Sequence, residues 1–232
     1  ASLVRVFNDL SALHFINHAV TISVAAGTYT GNPVLNNVEA NAAITITGPA
    51  LATASPTTGT ATGTLTAVTL GAVTVLEDST QAWTVNDLIG TQVTIGGVTR
   101  IVAVNTATTL TLASPFAVDP VIGNAYTLQT PAAILTSATS PTLALRLSGS
   151  VGGSSSGPVV SFTGFEVLNS AASGQACRVA TSNNNITLTN SRCRQTSGTG
   201  IAINYLGGGQ FTMATTSAIA DGTGTGITSS GG

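Results

Sequence analysis

The sequence predicts an all-β fold in which short parallel strands coil into a solenoid, and three observations support this prediction. Apolar and polar residues alternate at a period of two in many short segments, which is typical of strands with one buried face. In the C-terminal part of the chain, one such segment recurs at a nearly constant spacing, as in proteins built from stacked structural repeats. Glycine, serine and asparagine separate the segments, where turns are expected.

The repeat is clearest between residues 159 and 227. One strand pattern begins at Val160, at Ile186 and at Phe211, so its copies are offset by 26 and then by 25 residues. A second, shorter pattern recurs between them at a spacing of 24 residues, in Cys177–Val179, in Ile201–Ile203 and from Ile227 onward. Each copy is too short to bury its apolar side alone, so we expect the copies to stack.

The offset of 26 residues also predicts one specific contact. It places Glu166 beside Arg192 on neighbouring strands, which lie about 4.8 Å apart in a sheet. We expect an exposed ion pair between these two side chains, stabilising the fold by at most about 1 kcal/mol.

Composition excludes several classes of protein. Of the 232 residues, 43% are hydrophobic and 6% are charged, so the chain is expected to fold. No apolar run approaches the roughly 20 residues of a membrane-spanning helix, so we expect no membrane insertion. The net charge is −2 and the basic residues are scattered, which disfavours a nucleic-acid partner. All six basic residues are arginine: Arg5, Arg100, Arg146, Arg178, Arg192 and Arg194.

A short helix is predicted near the N-terminus. Asn8 or Asp9 is suited to cap it, and the apolar positions from Leu10 to Ile16 give it one buried side. We expect this helix to cover the open end of the solenoid. His14 and His18 are one turn apart, a spacing that could serve a metal, but without a third ligand nearby we favour a structural pair and expect no metal or cofactor.

Residues 51–130 differ from the rest of the chain and predict a separate antiparallel barrel or sandwich. A connector rich in alanine, threonine and glycine comes first, and strands at close spacing follow, among them one predicted over Leu65–Val75. Gly96-Gly97 between two alternating segments indicates a hairpin, and Trp83 is expected to anchor a small core. We therefore divide the chain into residues 1–50, 51–130 and 131–232, with the solenoid expected to continue beyond residue 232.

The two cysteines, Cys177 and Cys193, occupy positions that should face the solenoid core. Buried reduced thiols acting as small apolar side chains are the favoured interpretation. A disulfide between them is the alternative.

Two stretches resemble known phage proteins. The helix "NDLSALHFI" followed by "TISVAAGTYTGNPV" and "AITITGP" resembles the first coil of pectin-lyase-like right-handed parallel β-helices, especially those of phage tail spikes and fibres. The sequence pattern "DST…W…TRIV…NTATTLTL" resembles a small β-barrel insert of phage fibre and baseplate proteins. The resemblance implies an all-β right-handed parallel β-helix with an N-terminal capping helix and an inserted antiparallel β-barrel.

Catalysis on a polysaccharide would require carboxylates gathered in one groove. The repeats contain only two acidic residues, Glu166 and Asp221, and these are the best available candidates. Glu77 and Asp78 are adjacent and would point to opposite sides of a strand, so a turn is the expected setting. The balance of these observations is against catalysis in this region.

The resulting hypothesis is a structural or host-recognition protein of a virion, a tail spike or fibre component that assembles in the host cytoplasm. Its expected partners are two further copies in a homotrimer, other virion proteins and a glycan of the host surface. A polysaccharide-degrading tail spike, acting as a lyase or glycosidase, is the first alternative. A bacterial surface adhesin is the second.

Overall fold

The computed structural model describes residues 2–13, 15–16, 18–40, 42–147, 159–181, 185–207, 210–214, 216–220 and 225–230. Within these residues the regular structure is almost entirely β, with a single helix. The all-β prediction is therefore confirmed at the level of fold class.

The elements follow one another along the chain. Residues 1–50 contain α1 (Leu3–Ala12), β1 (Phe15–Ile16), β2 (Val20–Ser23), β3 (Gly27–Thr30), β4 (Val34–Ala40) and β5 (Ile44–Thr47). Residues 51–130 contain β6 (Ala52–Thr53), β7 (Thr62–Thr64), β8 (Ala67–Thr69), β9 (Val75–Glu77), β10 (Gln92–Ile95), β11 (Val98–Asn105), β12 (Thr109–Leu112) and β13 (Ala125–Thr130). Residues 131–232 contain β14 (Ala133–Ser137), β15 (Leu143–Leu147), β16 (Val159–Thr163), β17 (Phe165–Asn169), β18 (Gln175–Thr181), β19 (Asn185–Thr189), β20 (Arg192–Gln195), β21 (Ile201–Gly207), β22 (Gln210–Ala214), β23 (Ser217–Ala220) and β24 (Thr225–Ser230).

These elements form two compact units. The parallel unit comprises residues 1–50 and 131–232, and the antiparallel unit comprises residues 51–130. Each unit has a hydrophobic core of its own, and Trp83 lies in the core of the antiparallel unit.

Three parallel sheets build the parallel unit. Sheet 1 has the order β2-β5-β16-β19-β22, sheet 2 has β3-β14-β17-β20-β23, and sheet 3 has β1-β4-β15-β18-β21-β24. From β2 onward the chain visits sheet 1, then sheet 2, then sheet 3, and repeats this order to β24. The antiparallel unit is the one interruption of this cycle, since it separates β5 in sheet 1 from β14 in sheet 2.

The register in these sheets matches the spacing read from the sequence. Val160 pairs with Ile186, and Ile186 pairs with Phe211, so the offsets of 26 and 25 residues are confirmed. Cys177 pairs with Ile203, which pairs with Ile227, and this confirms the offset of 24. Because the pairing keeps this register, inward-facing residues lie over inward-facing residues in each of the three sheets.

The inward-facing side chains of the three sheets share one core. Sheet 1 contributes Ile44, Ile46, Val160, Phe162, Ile186 and Leu188; sheet 2 contributes Leu135, Val167 and Cys193; sheet 3 contributes Leu35, Leu143, Cys177, Val179 and Ile203. Burial of these aliphatic side chains contributes about 25 cal/mol per Å² of apolar surface removed from water. Since each strand supplies only one to three such residues, no single strand could bury them alone.

The corner between sheets 1 and 2 is short in the later repeats, with one residue between β16 and β17 and two residues between β19 and β20. Gly164 forms the first of these corners at φ +79°, and Asn190 begins the second at φ +47°. The left-handed region favours glycine, and asparagine tolerates it better than most residues. A Cβ on Gly48, at the same corner one repeat earlier, would lie 2.4 Å from the carbonyl oxygen of Gly164, so this corner also requires close backbone approach.

Helix α1 begins earlier than the sequence indicates. Ser2 is its N-cap, and the Ser2 hydroxyl accepts a hydrogen bond from the backbone N–H of Arg5 at 3.2 Å. The prediction that Asn8 or Asp9 caps the helix is wrong, because both lie in its interior. The true N-cap was missed because the apolar stripe starts at Leu3, only two residues from the start of the chain.

The buried side of α1 consists of Leu3, Phe7 and Leu10, which pack into the core of the parallel unit. The helix ends at Ala12, and Phe15–Ile16 forms strand β1 of sheet 3. The expected histidine pair on one helix is therefore wrong for this segment. His18 is exposed, and His14 lies outside the described residues.

The antiparallel unit contains one sheet in the order β6-β13-β10-β11-β12-β9-β8, with β7 also paired to β13. Strands β10 and β11 form a hairpin through Gly96-Gly97, as predicted. Strands β7 and β8 lie at opposite ends of this path, yet only two residues separate them in the chain. The sheet must therefore curl until its two ends approach each other.

One predicted strand in this unit is wrong. The segment Leu65–Val75 contains the short strand β8 and the first residue of β9, which pair antiparallel as a hairpin. Gly71 lies between them, and glycine is favoured in such turns. The alternation of apolar residues continued across the turn and concealed it.

Cys177 and Cys193 form a disulfide, so the expectation of reduced thiols is wrong. Both are buried, as predicted, and their Cα atoms lie 6.1 Å apart, a separation typical of disulfides. Cys177 belongs to sheet 3 and Cys193 to sheet 2 of the next repeat. Their residue spacing gave no sign of proximity, because they meet across a narrow core and not along one ladder.

Removing this disulfide should destabilise the parallel unit. The bond closes a loop with a sequence separation of 16, and cross-linking a loop of that size stabilises a fold by about 3 kcal/mol. The double variant C177A/C193A is expected to lose about this much unfolding free energy in a chemical denaturation experiment. Wild-type protein in a strong thiol reductant should approach the same value, and equal stability of all three samples would contradict the assignment.

Candidate functional site on the outer faces of the parallel sheets

Glu166 and Arg192 form an ion pair on the outer face of sheet 2. They are register partners on β17 and β20, as the sequence predicts. The Arg192 Nε donates a hydrogen bond to the Glu166 Oε1 at 2.8 Å, and the second guanidinium nitrogen, Nη2, contacts the same oxygen. The contact is therefore confirmed.

The predicted exposure of this pair is wrong. Glu166 is 5% exposed and Arg192 is 7% exposed, although both side chains point away from the core. Glu166 pairs with Ile134 on its other side, so the carboxylate lies between an aliphatic residue and a guanidinium along the ladder. The charge of this carboxylate is balanced by its partner, and burial keeps it out of reach of a ligand at the surface.

The second candidate acid, Asp221, lies outside the described residues. In the part of the chain that the structure describes, no three histidine, cysteine, aspartate or glutamate side chains are grouped as metal ligands. Nor does any helix among those residues have the length and apolarity needed to cross a membrane.

A buried polar row, formed by Ser137, Asn169 and Gln195, lies at the end of sheet 2. The side-chain amide of Asn169 donates to the carbonyl oxygen of Thr139 at 2.7 Å and to the hydroxyl of Thr142 at 2.9 Å. Buried amides of this kind satisfy turn backbone groups that would otherwise be unpaired. The row is therefore structural and shapes the turns from sheet 2 to sheet 3.

The outer face of sheet 1 is the most regular surface of the parallel unit, and we call it the hydroxyl face. Its outward residues form two files that run across all five strands. The first file is Thr21, Thr45, Ser161, Thr187 and Thr212, and the second is Ser23, Thr47, Thr163, Thr189 and Ala214. Nine of these ten positions therefore carry a hydroxyl group.

The hydroxyl face carries no charge, since none of its five strands contains an acidic or basic residue. The outward side chains of its three middle strands are half-buried, and those of the two edge strands are exposed. Among the described residues, none of the nine hydroxyl groups forms a side-chain hydrogen bond with another protein group. Their donors and acceptors are free for solvent or for a ligand.

The spacing of the hydroxyl face follows from strand geometry. Neighbouring parallel strands lie about 4.8 Å apart, and alternate residues of one strand lie about 6.6 Å apart. Threonine is β-branched and therefore restricted at χ1, so its hydroxyl and methyl groups keep nearly fixed positions. The sequence signal for this surface is the recurring Thr/Ser-x-Thr/Ser at each sheet 1 strand, which follows directly from the repeat alignment.

A buried carboxylate that the sequence did not single out lies in the antiparallel unit. Asp78 is 1% exposed and accepts hydrogen bonds from the Tyr126 hydroxyl at 2.9 Å and the Thr80 hydroxyl at 2.6 Å. The Gln81 side-chain amide donates a third at 3.2 Å. The turn setting predicted for Glu77 and Asp78 is wrong for Glu77, the last residue of β9, and agrees with Asp78, which follows the strand; adjacency in sequence gave no sign that Asp78 is buried.

These contacts set the protonation of both groups. Burial alone would raise the pKa of Asp78, but the hydrogen bonds from Thr80, Tyr126 and Gln81 outweigh it and hold the pKa below its ordinary value. Burial, together with the bond to Asp78, raises the pKa of the Tyr126 hydroxyl well above its ordinary value. Asp78 therefore stays a carboxylate that organises the core beside Trp83, which packs edge-on against Tyr126.

Comparison with known proteins gives weak structural neighbours only. No family model and no curated protein sequence matches the chain. One structural neighbour is the tailspike of Pseudomonas phage phi297, with 12% identity and a TM-score of 0.26 over 84% of this chain and 39% of that chain. Another is the tailspike of Acinetobacter baumannii bacteriophage AP22, solved in complex with an A. baumannii capsular saccharide, with 10% identity and a TM-score of 0.22 over 97% of this chain and 50% of that chain.

Both structural neighbours are phage tailspikes, and this chain spans half or less of their lengths. At these TM-scores the likeness carries no argument about fold or mechanism. The class of protein that the fold itself defines is an all-β chain with three parallel sheets around one core and a separate antiparallel unit.

Breaking the ion pair from one side should be costly. In the variant Glu166→Ala, the buried Arg192 guanidinium loses the carboxylate it pairs with, and removing one member of a buried ion pair costs about 3 kcal/mol or more. We expect the free energy of unfolding to fall by this amount in denaturant titrations. The double variant E166L/R192M should recover most of the loss, because an apolar pair of similar volume replaces the ions.

The exposed pair Arg5–Asp9 on α1 supplies the matched control. Its side chains are 80% and 70% exposed, so water screens the interaction. The variant Asp9→Ala should leave stability within experimental error. An equal loss in Asp9→Ala and Glu166→Ala would contradict the assigned difference in burial.

The variant Asp78→Asn should change the acid stability of the antiparallel unit. Because the folded-state pKa of Asp78 lies below its ordinary value of 3.8, its contribution is present above that pH and is lost as the pH falls through the folded value. The variant should be less stable near neutral pH and lose less stability on acidification. Fluorescence of Trp83, the one tryptophan of the chain, reports this unfolding. The exposed control Asp119→Asn should keep the wild-type dependence of unfolding free energy on pH, and a D78N profile parallel to the wild type would refute the role of Asp78.

Proposed function

We propose that this chain is a structural and host-recognition component of a phage virion, part of a tail spike or fibre. The observation that carries the proposal is the cyclic path of the chain through sheets 1, 2 and 3 around one core. In this proposal the three sheets are the faces of a single right-handed parallel β-helix of the pectin-lyase-like type. Such a scaffold is stiff along its axis because every coil pairs with the next through continuous ladders.

Helix α1 covers one end of the proposed β-helix. Helix α1 buries Leu3, Phe7 and Leu10 against the first coils, which fits the expected capping helix. A cap of this kind shields the apolar core and discourages association through strand edges.

The antiparallel unit is proposed to be a small β-barrel domain inserted into one corner of the β-helix. The short link between β7 and β8, which lie at opposite ends of its sheet path, supports closure of the sheet. An insert at a corner lengthens one connection and leaves the strand ladders on both sides paired. The domain boundaries at about residues 50 and 131 follow the division into two compact units.

The surface fits a recognition role better than a catalytic one. Glu166 is the acidic residue of the repeats within the described part of the chain, and it forms a buried ion pair with Arg192. We therefore propose that this region is non-catalytic. The proposed partners are further copies of the chain in a homotrimer, other virion proteins and a glycan of the host surface. The proposed location is the virion, after assembly in the host cytoplasm.

The purified chain tests this proposal in two measurements. Sedimentation equilibrium should give three times the chain mass of 22.9 kDa, and added chain should compete with adsorption of the encoding phage to its host cells. Heat-unfolded chain is the control and should not compete. A strict monomer with no effect on adsorption would overturn the proposal, and release of new reducing ends or unsaturated sugars from host capsule would favour a degrading spike instead.

A further inference from the structure

We infer that the hydroxyl face of sheet 1 is an ice-binding surface. Its two files place nine hydroxyl groups in a two-dimensional array, and strand geometry gives this array one repeat of about 4.8 Å and another of about 6.6 Å. Oxygen atoms on the prism faces of hexagonal ice repeat at two distances of similar size. Waters held by the threonine hydroxyl groups can therefore join the crystal lattice with little rearrangement.

The side-chain chemistry favours ordered water as the ligand. Threonine presents a hydroxyl that bonds water and a methyl group that water must enclose, and both are held rigidly by the stiff χ1. Because these side chains lose little freedom on binding, the entropic cost of docking onto a crystal is small. Charged side chains, which hold water in arrangements unlike ice, are absent from all five strands.

The other outer faces lack this regularity. On sheet 2, the file containing Thr28 continues through Ile134, Glu166 and Arg192, so one row contains a hydroxyl, an apolar side chain and two opposite charges. On sheet 3, Arg178 and Asn204 are register partners in one file. The pattern is thus confined to sheet 1 among the described strands and is not a general consequence of threonine-rich composition.

Other occupants fit the hydroxyl face less well. Discrete small ligands prefer concave sites with a few convergent polar groups, and this surface is a sheet face with one group type repeated. A second copy packing sheet on sheet would require interdigitating apolar side chains, and Ala214 is the sole apolar residue in the two files. A surface that repeats in two dimensions is best matched by a ligand that also repeats in two dimensions.

The test measures inhibition of ice recrystallisation and thermal hysteresis with the whole chain. The wild type should inhibit recrystallisation and shape growing crystals into facets. The variant Thr187→Tyr places a bulky ring at the centre of the lattice, and the concentration required for inhibition should rise about tenfold or more, as for a central interface residue. Thr163→Tyr, in the second file, should do the same.

The matched control is Thr136→Tyr, the same change at a half-buried outward position of sheet 2. It should keep wild-type activity, and circular dichroism should show that all the variants are folded. Absence of ice activity in the wild type, or equal activity of Thr187→Tyr and the wild type, would overturn the inference. Two further outcomes would overturn it. In the first, the wild type forms a dimer that Thr187→Tyr disrupts, and neither protein affects ice growth. In the second, the wild type binds an insoluble neutral polysaccharide, Thr187→Tyr does not, and again neither protein affects ice growth. Phage adsorption is not measured here, so this result is independent of the proposed virion role.

Discussion

In-register parallel pairing between successive repeats is the interaction on which the rest of the parallel unit depends. Each ladder aligns a side chain with its counterpart one repeat away, so the aliphatic files meet inside and the polar files remain outside. A slip of one residue would exchange the two faces and place the threonines in the core. The corners at Gly164 and Asn190 oppose such a slip, because each has no more than two residues between sheets 1 and 2 and uses a left-handed backbone conformation at a fixed position.

The same pairing explains which parts of the fold could be read from the sequence. Offsets within one ladder are distances along the chain, so the partnership of Glu166 with Arg192 could be predicted to the residue. Contacts across the core connect different sheets, and no periodicity reports them. The Cys177–Cys193 disulfide belongs to this second group, as does the environment of Asp78 in the antiparallel unit. The helix start was missed for another reason, since Asn8 and Asp9 also have side chains suited to capping and were assigned that role although they lie inside the helix.

Burial on the outer faces was also difficult to foresee. Alternation assigns a side chain to the outside of a sheet, but it does not say how closely the neighbouring rungs cover it. Glu166 is outward by register and nevertheless screened from water, because Ile134 and Arg192 lie at the adjacent positions of its file. The candidate acid was therefore located correctly in the sheet, while its chemical availability depended on residues about 30 positions away in the chain.

The insertion point of residues 51–130 has a consequence for how such a chain can change over time. The connection from sheet 1 to sheet 2 consists of one residue, Gly164, between β16 and β17. Between β5 and β14 the same connection contains the entire antiparallel unit. The free energy of closing a connection grows only with the logarithm of its length, so a long insertion at this point lowers the stability of the parallel sheets only slightly. A corner of this kind is an insertion site, where recombination can exchange one domain for another while the paired strands on both sides keep their hydrogen bonds.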